Sequence, residues 1–395
     1  MSMFGGAGGA GGAGGAGGAG GAGGAAAAGG AGGAGGAGGA GGAGGAGGAG
    51  GYNTGLVAGA LIGHRDGIAG AWTQPGSAPA ELALDTATQV ERWEPWVRAA
   101  IYDFELLSYL RFSGRDESQP APPQPFKFTM WSLGEATGSP LTVSAAPIVS
   151  MVRPTQAIFL KQLQLVEAYA DLREDRAAEI LAQTSPQYAF WSSIVNLHPT
   201  RTRWTWELVD TALRFATSVE MRFKHALACR RPHEHSPQIQ PMILTPSHGS
   251  LPSGHSTEAH LVAYLLVKLL ASTPAMPAAN GPVLREQLMR QAARIAINRT
   301  VAGVHFPVDS AAGQMLGLSL AEYLVARCTG SGYADEWRFD GTAFGPTDDF
   351  DFRKLFDVAT GNRTGTAFAV KGAQATVPKS YILAWLWDKA QKEWT

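Results

Sequence analysis

The chain has 395 residues, a net charge of −1 at neutral pH and two cysteines. This near-neutral charge excludes a strongly basic nucleic-acid-binding protein, so no nucleic-acid partner is expected. Cys229 and Cys328 lie far apart in the sequence, which excludes a disulfide-rich domain and a cysteine-based zinc site. We therefore expect an ordinary globular protein with reduced, buried thiols.

The N-terminal segment differs in composition from the rest of the chain. From Gly5 to Gly51 the sequence is almost entirely Gly and Ala, mostly as a GGA triplet. Because it has no apolar side chain larger than alanine, it cannot bury enough surface to offset the entropy of ordering. We predict that residues 1–51 form a disordered low-complexity tail, and that residues 52–395 form a single, mainly helical domain.

No segment of the sequence predicts a membrane anchor or a secretory signal peptide. No Lys or Arg precedes Arg65, so the positively charged start of a secretory signal is missing. The apolar run at 55–63 is too short to span a bilayer, and the run at 261–271 is also short and contains Lys268. We therefore predict a soluble protein without a membrane span, and the cytoplasm is the expected compartment.

Helical periodicity dominates the chain beyond the tail, and alternating strand patterns are scarce. A helix is predicted over 91–112, then a Pro-rich connection over 113–126, then a stretch at 131–156 without a clear period. Residues 157–184 are predicted to form one long helix or a helix pair. Further helices are predicted over 186–197, 203–231, 258–272, 282–301, 307–328 and 378–394. The predicted fold class is all-α, a bundle of about ten helices. It comprises a helical extension (52–202), a helical core (203–328) and a loop-rich C-terminal segment (329–395) that ends in a helix.

The first segment with chemical character is KHALACRRP, at 224–232. Lys224 and Arg231 are seven residues apart, so on a helix they would face the same way, about 10 Å apart along the axis. Two long cationic side chains on one face could close on a single anion. Alone, this pattern is more typical of a solvated basic face.

The second segment is PSGH, at 252–255. Ser253 is a favourable N-cap for the apolar helix that follows, and the first amides, including that of Gly254, would point at an anion. Glycine lets the backbone approach a ligand closely, and His255 would project from the first turn over the same point. Many helices begin in this way, so the tetrapeptide alone is only suggestive.

The third segment is NRTVAGVHFPVD, at 298–309. Arg299 supplies another guanidinium fork for an oxyanion. His305 and Asp309 are four residues apart, so the carboxylate can accept one ring N–H and fix the tautomer. The other ring nitrogen is then free to attack phosphorus or to ligate a metal, although a lone His–Asp pair is more often structural.

Together, the ordered set Lys-x6-Arg-Pro, Pro-Ser-Gly-His and Arg-x5-His-x3-Asp resembles a known signature. It is that of the superfamily containing type 2 phosphatidic acid phosphatases (PAP2), bacterial acid phosphatases and vanadium-dependent haloperoxidases. The match spans residues 224–309. It departs at Asn298, where the phosphatases usually have serine before the arginine. The resemblance implies a helical catalytic domain of the haloperoxidase and acid-phosphatase type.

The resemblance also implies how the chain would bind an oxyanion. Lys224, Arg231 and Arg299 occupy the positions of the family's cationic clamp. The Ser253 hydroxyl and the Gly254 amide occupy the positions of additional hydrogen-bond donors. Such preorganised donors suit a tetrahedral or trigonal-bipyramidal oxyanion, either phosphate or vanadate.

Three further positions carry the implied chemistry. His255 matches the general acid or base of the family. His305 matches the nucleophile of a phosphatase, or the single protein ligand to vanadium in a haloperoxidase. Asp309 would orient the ring of His305.

Several features of the sequence favour the haloperoxidase branch. No spanning helices are visible, and in the globular part about 150 residues of helical and irregular sequence precede the first motif, an extension that haloperoxidases also have. His248 lies seven residues before His255, where bromoperoxidases of the family have a second histidine that tunes the acidity of the first. Against this branch, Met221 stands where haloperoxidases often have a tryptophan beside the oxyanion.

The leading hypothesis is therefore a vanadate-dependent haloperoxidase that oxidises bromide or iodide with hydrogen peroxide to hypohalous acid. The alternative is a soluble PAP2-type acid phosphatase that hydrolyses a small phosphate ester through a phosphohistidine and needs no cofactor. A third hypothesis is a catalytically idle anion-binding protein, although a mere scaffold has no use for both His255 and His305. Haloperoxidases of this kind are often oligomeric, so a homo-oligomer is also expected.

Overall fold

The computed structural model describes residues 55–114, 126–140, 142–271, 273–276 and 280–395. The predicted Gly/Ala tail, residues 1–51, lies outside them. The described residues fall into two compact units: one holds those up to Ala100 with Thr184–Pro186, and the other holds those of Ile101–Gln183 and Gln187–Thr395. All three motifs belong to the second unit. The single domain over 52–395 stays a prediction.

Helices form most of the regular structure. They are α1 (Gly55–Ile68), α2 (Pro95–Leu107), α3 (Gln156–Ala168), α4 (Arg173–Ala182), α5 (Tyr188–Val195), α6 (Arg203–Leu227), α7 (Pro232–His235), α8 (Gly254–Leu270), α9 (Gly281–Val301), α10 (Pro307–Thr329) and α11 (Tyr381–Gln391). Short 3-10 turns lie at Ala87–Arg92, Tyr169–Leu172, Pro237–Ile239, Gly341–Ala343, Phe352–Lys354 and Lys392–Trp394. The four long helices α6, α8, α9 and α10 begin within four residues of their predicted starts.

Two β-sheets contradict the all-α prediction, and the fold is mixed α and β. The strands are β1 (Leu110–Ser113), β2 (Lys127–Thr137), β3 (Thr142–Val152), β4 (Tyr333–Asp340), β5 (Phe356–Asp357), β6 (Asn362–Arg363) and β7 (Ala369–Thr376). The larger sheet has the order β1-β2-β3-β4-β7, with β3 and β4 parallel and its other neighbours antiparallel. Strands β5 and β6 form a separate antiparallel pair.

The strands escaped prediction because their sequences do not alternate. The pairing of β2 with β3 shifts register between Met130 and Trp131 and again between Leu133 and Ala136, and each shift interrupts a period of two. Strand β3 buries residues 148–151 in succession, as a strand covered on both faces does. The predicted helix over 91–112 ends at Leu107, and its last predicted residues belong to β1.

Close contact between α8 and α10 fixes the part of the fold that carries the motifs. A Cβ at Gly317 would lie 2.3 Å from the Thr257 carbonyl oxygen, and one at Gly313 would lie 2.6 Å from that of Ser253. The Ser256 hydroxyl donates to the Ser310 carbonyl oxygen at 2.7 Å. Because the two backbones nearly touch, the start of α8 is held against the start of α10.

Candidate active site

Lys224 lies buried in the last turn of α6. Its ammonium group donates hydrogen bonds to the carbonyl oxygens of Gly249 (3.4 Å), Ser250 (3.3 Å) and Pro252. Burial, followed by the charge of Arg231, lowers the pKa of Lys224 to about 8. The side chain therefore fastens the loop that leads into α8 to the end of α6.

Arg231 reaches the site by a route that the sequence did not predict. Helix α6 ends at Leu227, because Ala228 takes a left-handed conformation (φ 47°) and donates from its N–H to the Lys224 carbonyl at 3.1 Å. Lys224 and Arg231 thus do not share a helix face, and that expectation is wrong. Arg231 is buried and donates to the carbonyl oxygens of His248 (3.1 Å) and Val304 (2.9 Å).

His305 is bonded through both ring nitrogens. Its Nε2 lies 2.8 Å from Nη1 of Arg231, and its Nδ1 lies 3.0 Å from Oδ2 of Asp309. Because a guanidinium only donates, Nε2 accepts and the proton of the neutral ring lies on Nδ1. Burial, followed by the charges of Arg231 and Lys224, holds the pKa of His305 well below its usual value. The ring is therefore neutral, with a lone pair on Nε2.

A glycine turn sets the spacing between Arg299 and His305. Gly303 adopts φ 77°, its N–H donates to the Thr300 carbonyl, and the Val304 N–H donates to the Arg299 carbonyl. This is the Schellman pattern, which favours glycine at the left-handed position. It ends α9 and leads the chain directly into His305.

Asp309 lies buried in the first turn of α10, where it has two donors. Its Oδ2 accepts from the His305 ring and from the Phe306 N–H at 3.0 Å. Its backbone carbonyl accepts from the Ser253 N–H at 2.9 Å, which joins the starts of α8 and α10. Burial raises the pKa of Asp309 to about 6.

Ser253 and Gly254 form the buried N-terminus of α8. The Ser253 hydroxyl accepts from the Ser256 N–H at 3.4 Å, as an N-cap does. A Cβ at Gly254 would lie 2.5 Å from Oε1 of Glu220, so that carboxyl group touches the glycine. Glu220 was not among the predicted site residues.

His255 is half-buried and held by the segment that follows α4. Its Nε2 lies 2.9 Å from the Gln183 carbonyl oxygen, which only accepts, so Nε2 carries the proton and Nδ1 is the atom free to exchange one. Burial, followed by the charge of Arg299, holds the pKa of His255 well below its usual value.

Gln183 also holds Arg299. Its Oε1 accepts from Nη2 of Arg299 (3.1 Å) and from Nδ2 of Asn298 (2.9 Å). Burial lowers the pKa of Arg299 to about 10. Its Nε and Nη1 are buried without a hydrogen-bond partner among the described residues, and these donors suit an oxyanion. Asn298, where the family usually has serine, thus supports the residue that aligns Arg299.

His248 joins the cluster through Arg231. Its Nδ1 lies 3.1 Å from Nη2 of Arg231, which is a donor, and 3.2 Å from the Gly249 carbonyl oxygen, which is an acceptor. Burial, followed by the charges of Lys224 and Arg231, lowers the pKa of His248 to about 3.

The predicted residues therefore lie in two adjoining groups joined at the first turn of α8. One contains Lys224, Arg231, His248, His305 and Asp309, and the other contains His255 and Arg299 on either side of Gln183. The described residues contain no cluster of three or more His, Cys, Asp or Glu suited to a metal cation. Three buried cations and a lone-pair nitrogen instead fit a tetrahedral oxyanion such as phosphate or vanadate.

Sequence comparison gives a family match over the same region. Residues 208–329 match the family model described as the PAP2 superfamily. No curated protein matches the chain. Among solved structures, a match is the crystal structure of the first transmembrane PAP2 type phosphatidylglycerolphosphate phosphatase from Bacillus subtilis. It is 20% identical, covers 42% of this chain and 84% of that chain, and has a TM-score of 0.35.

The predicted localisation, in the cytoplasm and without a membrane span, disagrees with one of these comparisons. The expectation of a soluble, cytoplasmic protein is contradicted by that match, because its title describes a transmembrane protein. Within the part of the chain that the structure describes, no helix has both the length and the apolar character needed to cross a bilayer. The family assignment rests on the motif region, since residues 224–309 lie entirely within the matched segment. The segment of the chain that carries the three motifs, residues 208–329, therefore matches the PAP2 superfamily.

Proposed function

We propose that the protein is a phosphatase that hydrolyses a phosphate ester through a phosphohistidine formed at His305. The observation that carries the proposal is the state of this residue: a neutral ring, with Nδ1–H held by Asp309 and the Nε2 lone pair among buried cations. The match of residues 208–329 to the PAP2 superfamily supports the same chemistry. We therefore prefer it to the haloperoxidase favoured by the sequence alone.

Binding of the phosphoryl group uses the three cations. Nε and Nη1 of Arg299, which have no partner in the described part of the chain, would bind phosphoryl oxygens directly. Arg231 now donates to Nε2 of His305, so this hydrogen bond must pass from the nitrogen to a phosphoryl oxygen before attack. Lys224, on α6, contributes charge from a position that is fixed by its hydrogen bonds to the loop before α8.

The first chemical step forms the bond between Nε2 of His305 and phosphorus and breaks the bond from phosphorus to the ester oxygen. The departing oxygen takes a proton from Nδ1 of His255, while Asp309 stabilises the positive charge that develops on the His305 ring. Because the pKa of His255 is low in the free protein, His255 gains this proton when the dianionic substrate offsets the charge of Arg299.

The second step releases phosphate. Nδ1 of His255, now unprotonated, takes a proton from water, whose oxygen attacks phosphorus as the bond to Nε2 breaks. Phosphate leaves, and His305 returns to the neutral form with its proton on Nδ1. His255 therefore serves as acid and then as base.

A vanadate-dependent haloperoxidase is the second candidate, and the position of His248 favours it. This residue contacts Arg231 at the oxyanion clamp, as a second histidine near the site of a bromoperoxidase would. Bound vanadate would supply the activation of hydrogen peroxide for halide oxidation. His305 Nε2 would hold the vanadium, the three cations would neutralise its oxygens, and His255 would accept a proton from peroxide.

A paired assay on purified protein stripped of metal tests both candidates. One arm follows hydrolysis of p-nitrophenyl phosphate, and the other follows oxidation of bromide and iodide by hydrogen peroxide after addition of orthovanadate. We expect hydrolysis without added metal, inhibited by vanadate and lost in His305→Ala. Halide oxidation that needs vanadate, without hydrolysis, would refute the phosphatase and establish the second candidate.

A further inference from the structure

The carboxyl groups of Glu220 and Glu258 lie at the first turns of α8. Glu220, one helical turn before Lys224 on α6, is 3% exposed, and its Oε2 has no hydrogen-bond partner among the described residues. Glu258, one turn after Gly254 on α8, is half-buried and accepts from the Thr217 hydroxyl at 3.4 Å. The mechanism proposed above uses neither carboxyl group.

Glu220 occupies the space that a side chain at Gly254 would need. From the position of a Cβ at Gly254, Oε1 of Glu220 would be 2.5 Å away and its carboxyl carbon 3.2 Å away. The glycine that is expected to present its amide to the oxyanion therefore rests directly on this carboxyl group. An ionised Glu220 and a bound oxyanion would both interact with the positive end of α8.

Among the described residues, the charged groups around Glu220 do not neutralise it by direct contact. Lys224 faces it from α6, Arg231 from the segment after α6, and Glu258 from α8. The Lys224 ammonium group donates to backbone carbonyls instead. An unpaired buried carboxylate is unfavourable, so burial, followed by repulsion from Glu258, raises the pKa of Glu220 to about 8.

We propose that Glu220 is a positioning residue that couples oxyanion binding in this site to the uptake of a proton. When protonated, Glu220 presents a neutral group beneath the Gly254 amide, and the cationic clamp keeps its full attraction for the anion. When ionised, it places a negative charge beside Lys224 and against the turn that must bind the anion. This inference rests on the oxyanion site of the proposed function, and not on its covalent step.

The sign of the linkage follows from this arrangement. A site that binds the anion better when Glu220 is protonated takes up protons on binding, and its affinity falls as the pH rises through the pKa of Glu220. Glu220→Gln has nearly the same shape and stays neutral, so it should remove this contribution. Glu220 itself raises the pKa of Lys224, so Lys224 loses its charge at lower pH in Glu220→Gln than in the wild type. This effect opposes the expected difference between the two proteins and cannot produce it.

Calorimetric titration with tungstate tests the proposal, because tungstate stays a tetrahedral dianion between about pH 6 and pH 9. Buffers of different ionisation enthalpy give the number of protons taken up. Between pH 7 and pH 9 we expect the wild-type Kd to rise at least several-fold more than that of Glu220→Gln, since each pH unit above a pKa gives up to about tenfold. The wild type should also take up more protons. Glu167→Gln, an exposed carboxylate on α3, is the matched control and should behave like the wild type.

Glu258→Gln gives an independent test. Removing its negative charge makes Glu220 easier to ionise, so the loss of tungstate affinity should move to lower pH. Equal pH dependence and equal proton uptake in wild type and Glu220→Gln would overturn the proposal, as would failure of wild type to bind tungstate at pH 6. Tungstate binding without hydrolysis of p-nitrophenyl phosphate would refute only the phosphatase. Circular dichroism confirms that each variant is folded.

Discussion

Arg231 donates a hydrogen bond from Nη1 to Nε2 of His305 at 2.8 Å, so a cation contacts the nitrogen proposed as nucleophile. This contact identifies the tautomer, because a guanidinium cannot accept. It also means that Arg231 must exchange one partner for another when substrate binds. The proposed nucleophile and the proposed clamp are therefore parts of one hydrogen-bond network.

Mutation should distinguish the roles of His305 and His255. His305→Ala removes the proposed nucleophile. This variant should not hydrolyse a radiolabelled phosphate ester, and no label should be found on the protein when the reaction is quenched. His255→Ala removes the acid and base, and kcat should fall about 10²–10⁴-fold while tungstate still binds. Quenched-flow labelling and steady-state assays measure both effects. Full activity in His305→Ala would refute the assignment.

Activity should fall as the pH drops below about 6. The pKa of Asp309 is raised to about 6, so in more acidic solution the carboxylate gains a proton and no longer accepts from Nδ1 of His305. The measurement is kcat/KM between pH 4.5 and pH 8. Asp309→Asn with the same substrate should be slow throughout and lack this acid limb. The same acid limb in both proteins would trace it to another group.

Gln183→Leu should weaken both the site and the fold. The substitution keeps the backbone carbonyl that holds His255 but leaves Nη2 of Arg299 and Nδ2 of Asn298 without Oε1. Each unpaired buried donor costs about 1–3 kcal/mol of unfolding free energy. Urea unfolding and tungstate titration measure the two effects. Gln374→Leu, at an exposed site on β7, should change stability by less than about 0.5 kcal/mol.

Gly317→Ala tests whether the close contact of α8 with α10 positions the site. The added methyl group would meet the Thr257 carbonyl at 2.3 Å, so the helices must separate. We expect a loss of about 1–3 kcal/mol in unfolding free energy and reduced kcat, because the start of α8 moves relative to Asp309. Gly59→Ala on α1, with no atom within 4 Å of the new Cβ, is the control. Unchanged kcat in Gly317→Ala would contradict a positioning role.

The sequence predicted which candidate residues come together better than it predicted the fold around them. Residue types at fixed spacing selected Arg231, His305 and Asp309, and the structure places these three side chains in contact. The prediction that Lys224 and Arg231 lie on one helix was wrong, because no feature of the sequence indicated that Ala228 adopts a left-handed conformation. Composition and periodicity also missed the five-stranded sheet, because bulges and two-sided burial remove alternation from β2 and β3.

Other site residues left no signal in the sequence. Gln183 acts through a backbone carbonyl and an amide, and a lone glutamine after a helix has no distinguishing pattern. Glu220 looked like an ordinary polar residue on a helix until the contact with Gly254 was visible. The spacing of Gly313 and Gly317 is a pattern of closely packed helices and could have indicated the contact of α10 with α8.

The three carbonyl groups that bind the Lys224 ammonium group have a consequence for affinity. A lysine in solvent samples many rotamers and loses that freedom when it binds a ligand, at a cost of up to about 2 kcal/mol. Lys224 has already lost it in the folded protein, to the carbonyl groups of Gly249, Ser250 and Pro252. The position of the Lys224 charge is therefore fixed before an oxyanion binds. The entropy cost of ordering this side chain reduces the stability of the folded protein and does not reduce its affinity for the substrate.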